Sequence, residues 1–324
     1  MFLMENMFQK INRKEINNIV NDSSIEAIEM DSLPMYVLDT GIKEYDSAYG
    51  GLWHKELMMI AAPSGTGKTI LALNIMHNIL KRYDCVWVIY FGLGMKMKQL
   101  LTSFLCIKSG YDFEDISRGR LDGVSYSVLK SDAMKTTTWS FIHDNNPDFS
   151  LKGIIYRCRR YQSELQKQGS GLVRVILIDY LQLVDKSENS VNGESMDCNV
   201  VICRKLKELA ESLDATVILL SSLPEVALKR NDRRSKENDI DQYYEKGVLE
   251  NIDTLLLLHR RDHCDYDCWF AGKYQMEVRV VKNSIMKKRR KIFKLCVDTR
   301  NLRVTELEEE PKSITCIEGL PFVC

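Results

Sequence analysis

The octapeptide Ala62-Pro63-Ser64-Gly65-Thr66-Gly67-Lys68-Thr69 constrains this chain more than any other segment. It follows the apolar run Leu57–Ala61, which reads as a strand, and it precedes Ile70–Arg82, which has the length of a helix. Gly65 and Gly67 let the backbone turn so that successive N–H groups face one point, and a helix N-terminus adds its positive end there. That is a cradle for phosphate oxygens. Lys68 is expected to reach the β- and γ-phosphates of a nucleotide, and the Thr69 hydroxyl to ligate Mg2+. Pro63, Ser64, Gly65, Thr66, Gly67, Lys68 and Thr69 are therefore the nucleotide-binding candidates. Ala62 stands where such loops usually begin with glycine.

Further apolar runs surround this loop: Val86–Phe91, Val175–Ile178, Val217–Leu220 and Leu255–Leu258. Short runs without polar alternation suit strands covered on both faces, as in a parallel sheet. The segments between them, such as Asn199–Leu213, are long enough for crossover helices. After Leu258 the rhythm shortens. Met276–Val281 and Ile292–Val297 flank Lys287-Lys288-Arg289-Arg290-Lys291, which predicts an antiparallel hairpin appended to the sheet. The fold class is thus α/β, mostly parallel, with flanking helices. Asp179 closes the run that precedes it, at the carboxyl end of a parallel strand, where a second Mg2+ contact is required beside a phosphate loop.

Composition removes several other classes. The chain has 324 residues, 45% hydrophobic and 28% charged, which excludes disordered and collagen-like chains. Its 45 Lys+Arg balance 45 Asp+Glu, so nucleic acid is not coated over the whole surface, although a local basic groove needs no net charge. The ten cysteines are scattered singly and read as reduced thiols. No stretch approaches the ~18 apolar residues of a membrane span, and a charge at Glu5 interrupts any leader. A soluble cytoplasmic protein is expected.

Asp179-Tyr180-Leu181-Gln182-Leu183, preceded by Leu177-Ile178, resembles the Ile-Asp-Tyr-Leu-Gln-Leu segment of DnaB-type replicative DNA helicases. Thr40-Gly41, Gly50-Gly51-Leu52, Glu56-Leu57, Ile116–Leu121 and the stretch around Arg159-Arg160 fit the same family. The resemblance implies a RecA-like P-loop NTPase over residues 37–305, without the family's N-terminal helical domain, and a tail at 306–324. It further implies ATP with Mg2+ as cofactors, a homo-hexameric ring, and translocation on single-stranded DNA to unwind duplex during replication. A primase or a helicase loader is the implied further partner. Residues 1–36 are read either as a linker helix docking on a neighbouring subunit, on the spacing of Phe8, Ile11, Ile16, Ile19 and Val20, or as a frayed tail.

Three motifs depart from the family. Its Ser-Leu-Glu-Met reads Gly92-Leu93-Gly94-Met95, so the glutamate that activates water is absent at Gly94. Its Ser-Gln-Leu-Asn-Arg reads Ser221–Glu225, placing Ser222 at the phosphate-sensing glutamine. Its Lys-Gln-Arg finger reads Lys282-Asn283-Ser284, keeping Lys282 as a catalytic candidate beside Lys68 and Asp179 and losing the arginine. A general base contributes ~10²–10⁴-fold and a finger arginine ~10³–10⁵-fold. The residues therefore favour nucleotide binding over fast hydrolysis, and a hydrolysis-weak ring subunit acting as scaffold, loader or regulator is the alternative to a motor. Arg289 or Arg290 is a candidate displaced finger, and Glu225 a weaker candidate carboxylate.

For DNA, Arg230, Arg233, Arg234 and Lys236 lie where the family's DNA-facing loops are, and Tyr243-Tyr244 offers rings for stacking. His259, His263, Cys264 and Cys268 are all zinc-ligand types, but their spacing matches no common zinc pattern.

Overall fold

The structure, a computed structural model, describes residues 37–92, 94–136, 138–184, 198–224, 244, 246–261, 272–286 and 291–307. A short antiparallel pair, β1 (Val37–Leu38) and β2 (Leu52–Trp53), brackets helix α1 (Lys43–Tyr49). Strand β3 (Leu57–Pro63) then leads through the phosphate loop into α2 (Lys68–Arg82). There follow β4 (Val86–Gly92), α3 (Met97–Ser109), α4 (Phe113–Arg118), α5 (Gly123–Thr136), β5 (Phe141–Asp144) and α6 (Leu151–Gln168). The chain continues through β6 (Leu172–Asp179), α7 (Cys198–Leu213), β7 (Thr216–Leu223), α8 (Lys246–Asn251) and β8 (Thr254–Arg261). It closes with β9 (Lys273–Asn283), β10 (Ile292–Asp298) and β11 (Arg303–Glu306).

Nine strands form one sheet in the order β11-β10-β9-β8-β3-β7-β6-β4-β5. The six from β8 to β5 run parallel, and β9, β10 and β11 add antiparallel neighbours at one edge. The expected parallel sheet with an appended hairpin is therefore present, extended by β11.

Each central strand sends alternate residues to two different cores, the period-2 geometry of a strand covered on both faces. Met58, Ile60, Val88, Leu177, Ile218 and Leu256 enter one cluster, which Tyr45 of α1, Leu73 and Ile79 of α2 and Phe104 of α3 complete. Leu57, Met59, Ile89, Ile176, Val217 and Leu255 enter the other, against Ile154 of α6, Leu206 of α7 and Val248 of α8. This is why the strands read as unbroken apolar runs. Helix ends follow local chemistry: Ser150 accepts from the Gly153 N–H to start α6, and Asp112 accepts from Glu114 to start α4.

Several elements lie outside the sequence expectation. β5 carries His143 and Asp144, and Asp144 is buried in an ion pair with Arg157, 2.7 Å from carboxylate to Nε. β9 spans eleven residues, and Glu277 and Arg279 pair within it at 3.1 Å, which gives the polar stretch partners inside the sheet. Arg303 Nε donates to the Ile107 carbonyl and Asn74 Nδ2 to Leu302 O, which ties the β10–β11 end onto α3 and onto the phosphate-loop helix. Among the described residues no helix is long and apolar enough to cross a membrane.

Candidate functional site

The phosphate loop leaves β3 at the carboxyl end of the parallel strands. Gly67 caps α2 at φ 100° and Gly65 turns the loop at φ 76°, both in the left-handed region that suits glycine. Gly67 has a second reason to be glycine. A Cβ there would come 2.3 Å from the Tyr274 hydroxyl, which donates to the Thr66 carbonyl at 3.0 Å. Tyr274 thus reaches from β9 across to brace the loop, and the Arg260 guanidinium sits 4.3 Å from its ring centroid. Gly65 has open space around it.

Lys68 Nζ curls into the loop and donates to the carbonyls of Ala62 and Pro63, at 2.8 and 2.9 Å. An ammonium has three protons, so one remains beyond these two bonds. Burial lowers the Lys68 pKa, with the nearby Asp179 charge opposing that shift. The Thr69 hydroxyl donates to Asp179 Oδ2 at 3.0 Å, and Tyr90 Oη donates to the same oxygen at 3.1 Å. Burial pushes the Asp179 carboxyl up, while these two hydrogen bonds and the Lys68 charge pull it down.

Magnesium prefers oxygen ligands and is held by one or two protein groups together with substrate phosphates. A hydroxyl and a carboxylate converging beside a phosphate cradle fit that demand. Thr69 and Asp179 would hold the ion, which when bound supplies charge neutralisation for the phosphates.

Ser222 lies beside the loop: β7 pairs with β3 so that Ala62 faces Ser222, and the Ser64 and Ser222 hydroxyls are 3.3 Å apart. Gln182 fixes this neighbour. Its amide donates to Ser222 O at 2.9 Å and its carbonyl accepts from Ser222 N at 3.1 Å. Gly94 follows β4 in a turn, and a Cβ there would meet nothing within 4 Å.

Lys282 is placed elsewhere. Leu255 faces Lys282 across β8 and β9, and Leu255 is in turn level with Met59, near the start of β3. Four residues of strand put Lys282 ~13 Å below the loop along the strand direction. Its ammonium donates to Leu249 O at 2.7 Å and Ile252 O at 2.5 Å, at the C-terminal end of α8. Within its own chain Lys282 is a helix-end cap, and it does not reach the chain's own phosphate loop. Burial lowers its pKa.

Tyr244 differs from the stacking expectation: it is 6% exposed and its hydroxyl donates to Ser221 Oγ at 2.7 Å, so its ring belongs to the core. Arg230, Arg233, Arg234, Lys236, Tyr243, Glu225, Arg289 and Arg290 lie outside the described residues, as do residues 1–36, His263, Cys264 and Cys268. Among the described residues no group of three or more His, Cys, Asp or Glu is placed to hold a metal ion.

Tyr90, Gln182 as a clamp, and Tyr274 carry no local signal in the sequence. Tyr90 was hidden inside an apolar run, and Tyr274 stands more than two hundred residues from the loop that it braces.

Residues 37–296 match the family model described as the DnaB-like helicase C terminal domain. The chain is 33% identical over 247 residues to the replicative DNA helicase DnaC of Bacillus subtilis, covering 76% of this chain and 51% of that protein. It is 31% identical over 246 residues to the replicative DNA helicase DnaB of Geobacillus stearothermophilus, with the same coverage of 76% and 51%. The chain thus spans about half the length of these relatives. Among solved structures, one described as an ATPase domain superposes with a TM-score of 0.70 at 22% identity, covering 89% of this chain and 100% of that one. A DnaB-like replicative helicase, described with its interactions with primase, gives 0.69 at 21% identity, covering 88% and 65%. The chain belongs to the DnaB-like helicase C-terminal domain family.

Proposed function

We propose that this chain is the motor of a DnaB-like replicative DNA helicase, hydrolysing ATP with Mg2+ to move along single-stranded DNA and open duplex. The observation that supports the reading is the Thr69–Asp179 hydrogen bond, which joins the phosphate-loop helix to the carboxyl end of β6, where a magnesium ion beside a nucleotide would be held. Pro63 through Thr69 would bind the nucleotide, Lys68 its outer phosphates, and Thr69 with Asp179 the ion. Lys282 sits far from its own loop, so any contact it makes with γ-phosphate would be to a neighbouring subunit's nucleotide, which a homo-hexameric ring provides. Arg230, Arg233, Arg234 and Lys236 are the proposed contacts to the DNA backbone, without sequence readout. Residues 1–36 would be a linker helix docking on a neighbouring subunit of the ring, and 306–324 would be a tail. Primase or a loader is the proposed partner outside the ring, and the cytoplasm the proposed location.

Gly94 and Ser284 support slow hydrolysis, while kinship with proteins named replicative helicases favours a motor over a scaffold. Strand displacement on a tailed duplex decides. ATP- and Mg2+-dependent unwinding by the full chain is expected. Tight binding of ATP and single strand without displacement would refute the motor.

A further inference from the structure

Tyr90 lies near the end of β4, within the run that forms the buried sheet, and is 1% exposed. Its neighbour across the parallel pair is Leu177, so Asp179 is the diagonal residue two positions on, on the same face. The hydroxyl covers that diagonal and donates to Asp179 Oδ2 at 3.1 Å. Thr69 donates to the same oxygen from the other side at 3.0 Å. Both hydroxyls converge on Oδ2, and Oδ1 carries neither bond.

The ring is held as firmly as the hydroxyl. His143 faces Tyr90 across β4 and β5 and stacks on it, with centroids 5.6 Å apart and an interplanar angle of 24°. The backbone itself also gives way: a Cβ at Gly92 would fall 2.6 Å from three atoms of the Tyr90 side chain. Gly92 has no left-handed φ, so nothing in its own backbone requires glycine. The requirement comes from the tyrosine. Tyr90, Gly92 and His143 therefore form one packed unit, out of which the Tyr90 hydroxyl points to Asp179.

Resting on the magnesium reading above, we propose that Tyr90 is a positioning residue for the metal, fixing the Asp179 carboxylate through Oδ2 so that its other oxygen is held ready for the ion or its water shell. Thr69 joins Asp179 to the helix that carries the nucleotide. Tyr90 joins it to the sheet, independent of whether nucleotide is present. A carboxylate held at one oxygen by two donors has lost its rotation before the metal arrives, which is how partners behind a ligand strengthen a metal site.

The test is a Mg2+ titration of nucleotide binding to the full chain, read by the fluorescence of a labelled ATP, in wild type, Tyr90→Phe and Asp179→Asn. Removing a partner of this kind costs ~10–100-fold in metal affinity. Tyr90→Phe is expected to raise the half-maximal Mg2+ concentration ~10-fold, while Mg2+-free nucleotide affinity stays near wild type. Gly92→Ala, which keeps the hydroxyl and displaces the ring, is expected to raise it in the same direction. A shift in Asp179→Asn with none in Tyr90→Phe would overturn the role of Tyr90. No shift in Asp179→Asn would overturn the magnesium site itself. A parallel fall in Mg2+-free affinity and melting temperature in Tyr90→Phe would mark a packing role and overturn the proposal.

Discussion

The Thr69 hydroxyl donates to Asp179 Oδ2 at 3.0 Å, joining two residues 110 positions apart at the mouth of the parallel sheet. The bond exists because β3 and β6, separated in the sheet only by β7, both end at this face. The chemistry proposed for this chain depends on that adjacency.

Tyr274 braces the phosphate loop from β9. Tyr274→Phe removes one hydrogen bond to the Thr66 carbonyl and leaves the ring under Arg260. A neutral bond contributes ~0.5–1.5 kcal/mol net. Nucleotide affinity is expected to fall ~2–10-fold, measured by titration with a fluorescent ATP. Unchanged affinity would show that the loop holds its shape without the brace.

Gly94, where the family resemblance implies a water-activating glutamate, has open space beyond its Cα. Gly94→Glu therefore starts a carboxylate side chain into open space at its Cβ. If the missing base limits hydrolysis, steady-state turnover is expected to rise, by up to the ~10²–10⁴-fold that such a group contributes. Turnover at the wild-type level would place the limit elsewhere, at Ser284 or at product release.

Two buried groups set opposite pH slopes on stability. His77 is 5% exposed between Phe104 and Trp139, and burial lowers its pKa to about 4. The unfolded chain, with an ordinary imidazole near 6.5, takes up the proton first, so stability is lost as pH falls from 6.5 towards 4. The full effect is on the order of 3 kcal/mol. Glu56 is 1% exposed and burial raises it to about 7, so its contribution is present below 4.5 and lost as pH rises through about 7. Denaturant titrations of His77→Leu should lack the acid limb that wild type shows, and those of Glu56→Gln should lack the loss towards neutral pH. An acid limb unchanged in His77→Leu would remove the assignment.

Lys282 caps α8 in its own chain. Lys282→Met leaves the Leu249 and Ile252 carbonyls without their donor. Each bond from a charged donor is worth ~1.5–3 kcal/mol. A loss of stability is expected even in the absence of nucleotide, read by denaturant unfolding. Wild-type stability combined with reduced turnover would instead assign Lys282 wholly to catalysis across subunits.

The parallel sheet and the phosphate loop were legible because both rest on local rules. Strands buried on both faces must be apolar throughout, and phosphate binding needs glycines at fixed offsets before Lys68-Thr69. Asp179 was legible from its place at a strand end. What escaped was whatever depends on partners distant in sequence. β5 is marked by Asp144, a charge that is stable inside only because Arg157 and the Tyr161 hydroxyl meet it. Tyr244 reads as an exposed ring beside a basic stretch, yet Ser221 gives its hydroxyl a partner in the core. Gly92 carries no signal in the sequence, and its reason is a clash with Tyr90 that only three-dimensional packing reveals. Lys282 reads as a finger, and the strand register places it at the opposite end of the sheet from its own loop.

Steady-state ATP hydrolysis by the full chain, with and without single-stranded DNA and beside Lys68→Ala, bears on the whole proposal at once. Turnover that single-stranded DNA stimulates and that Lys68→Ala abolishes is the expected result, even if the absence of a carboxylate at Gly94 keeps it slow. Turnover equal to that of Lys68→Ala in the presence of DNA, with ATP still bound, would refute a motor and leave a ring component that holds nucleotide without consuming it.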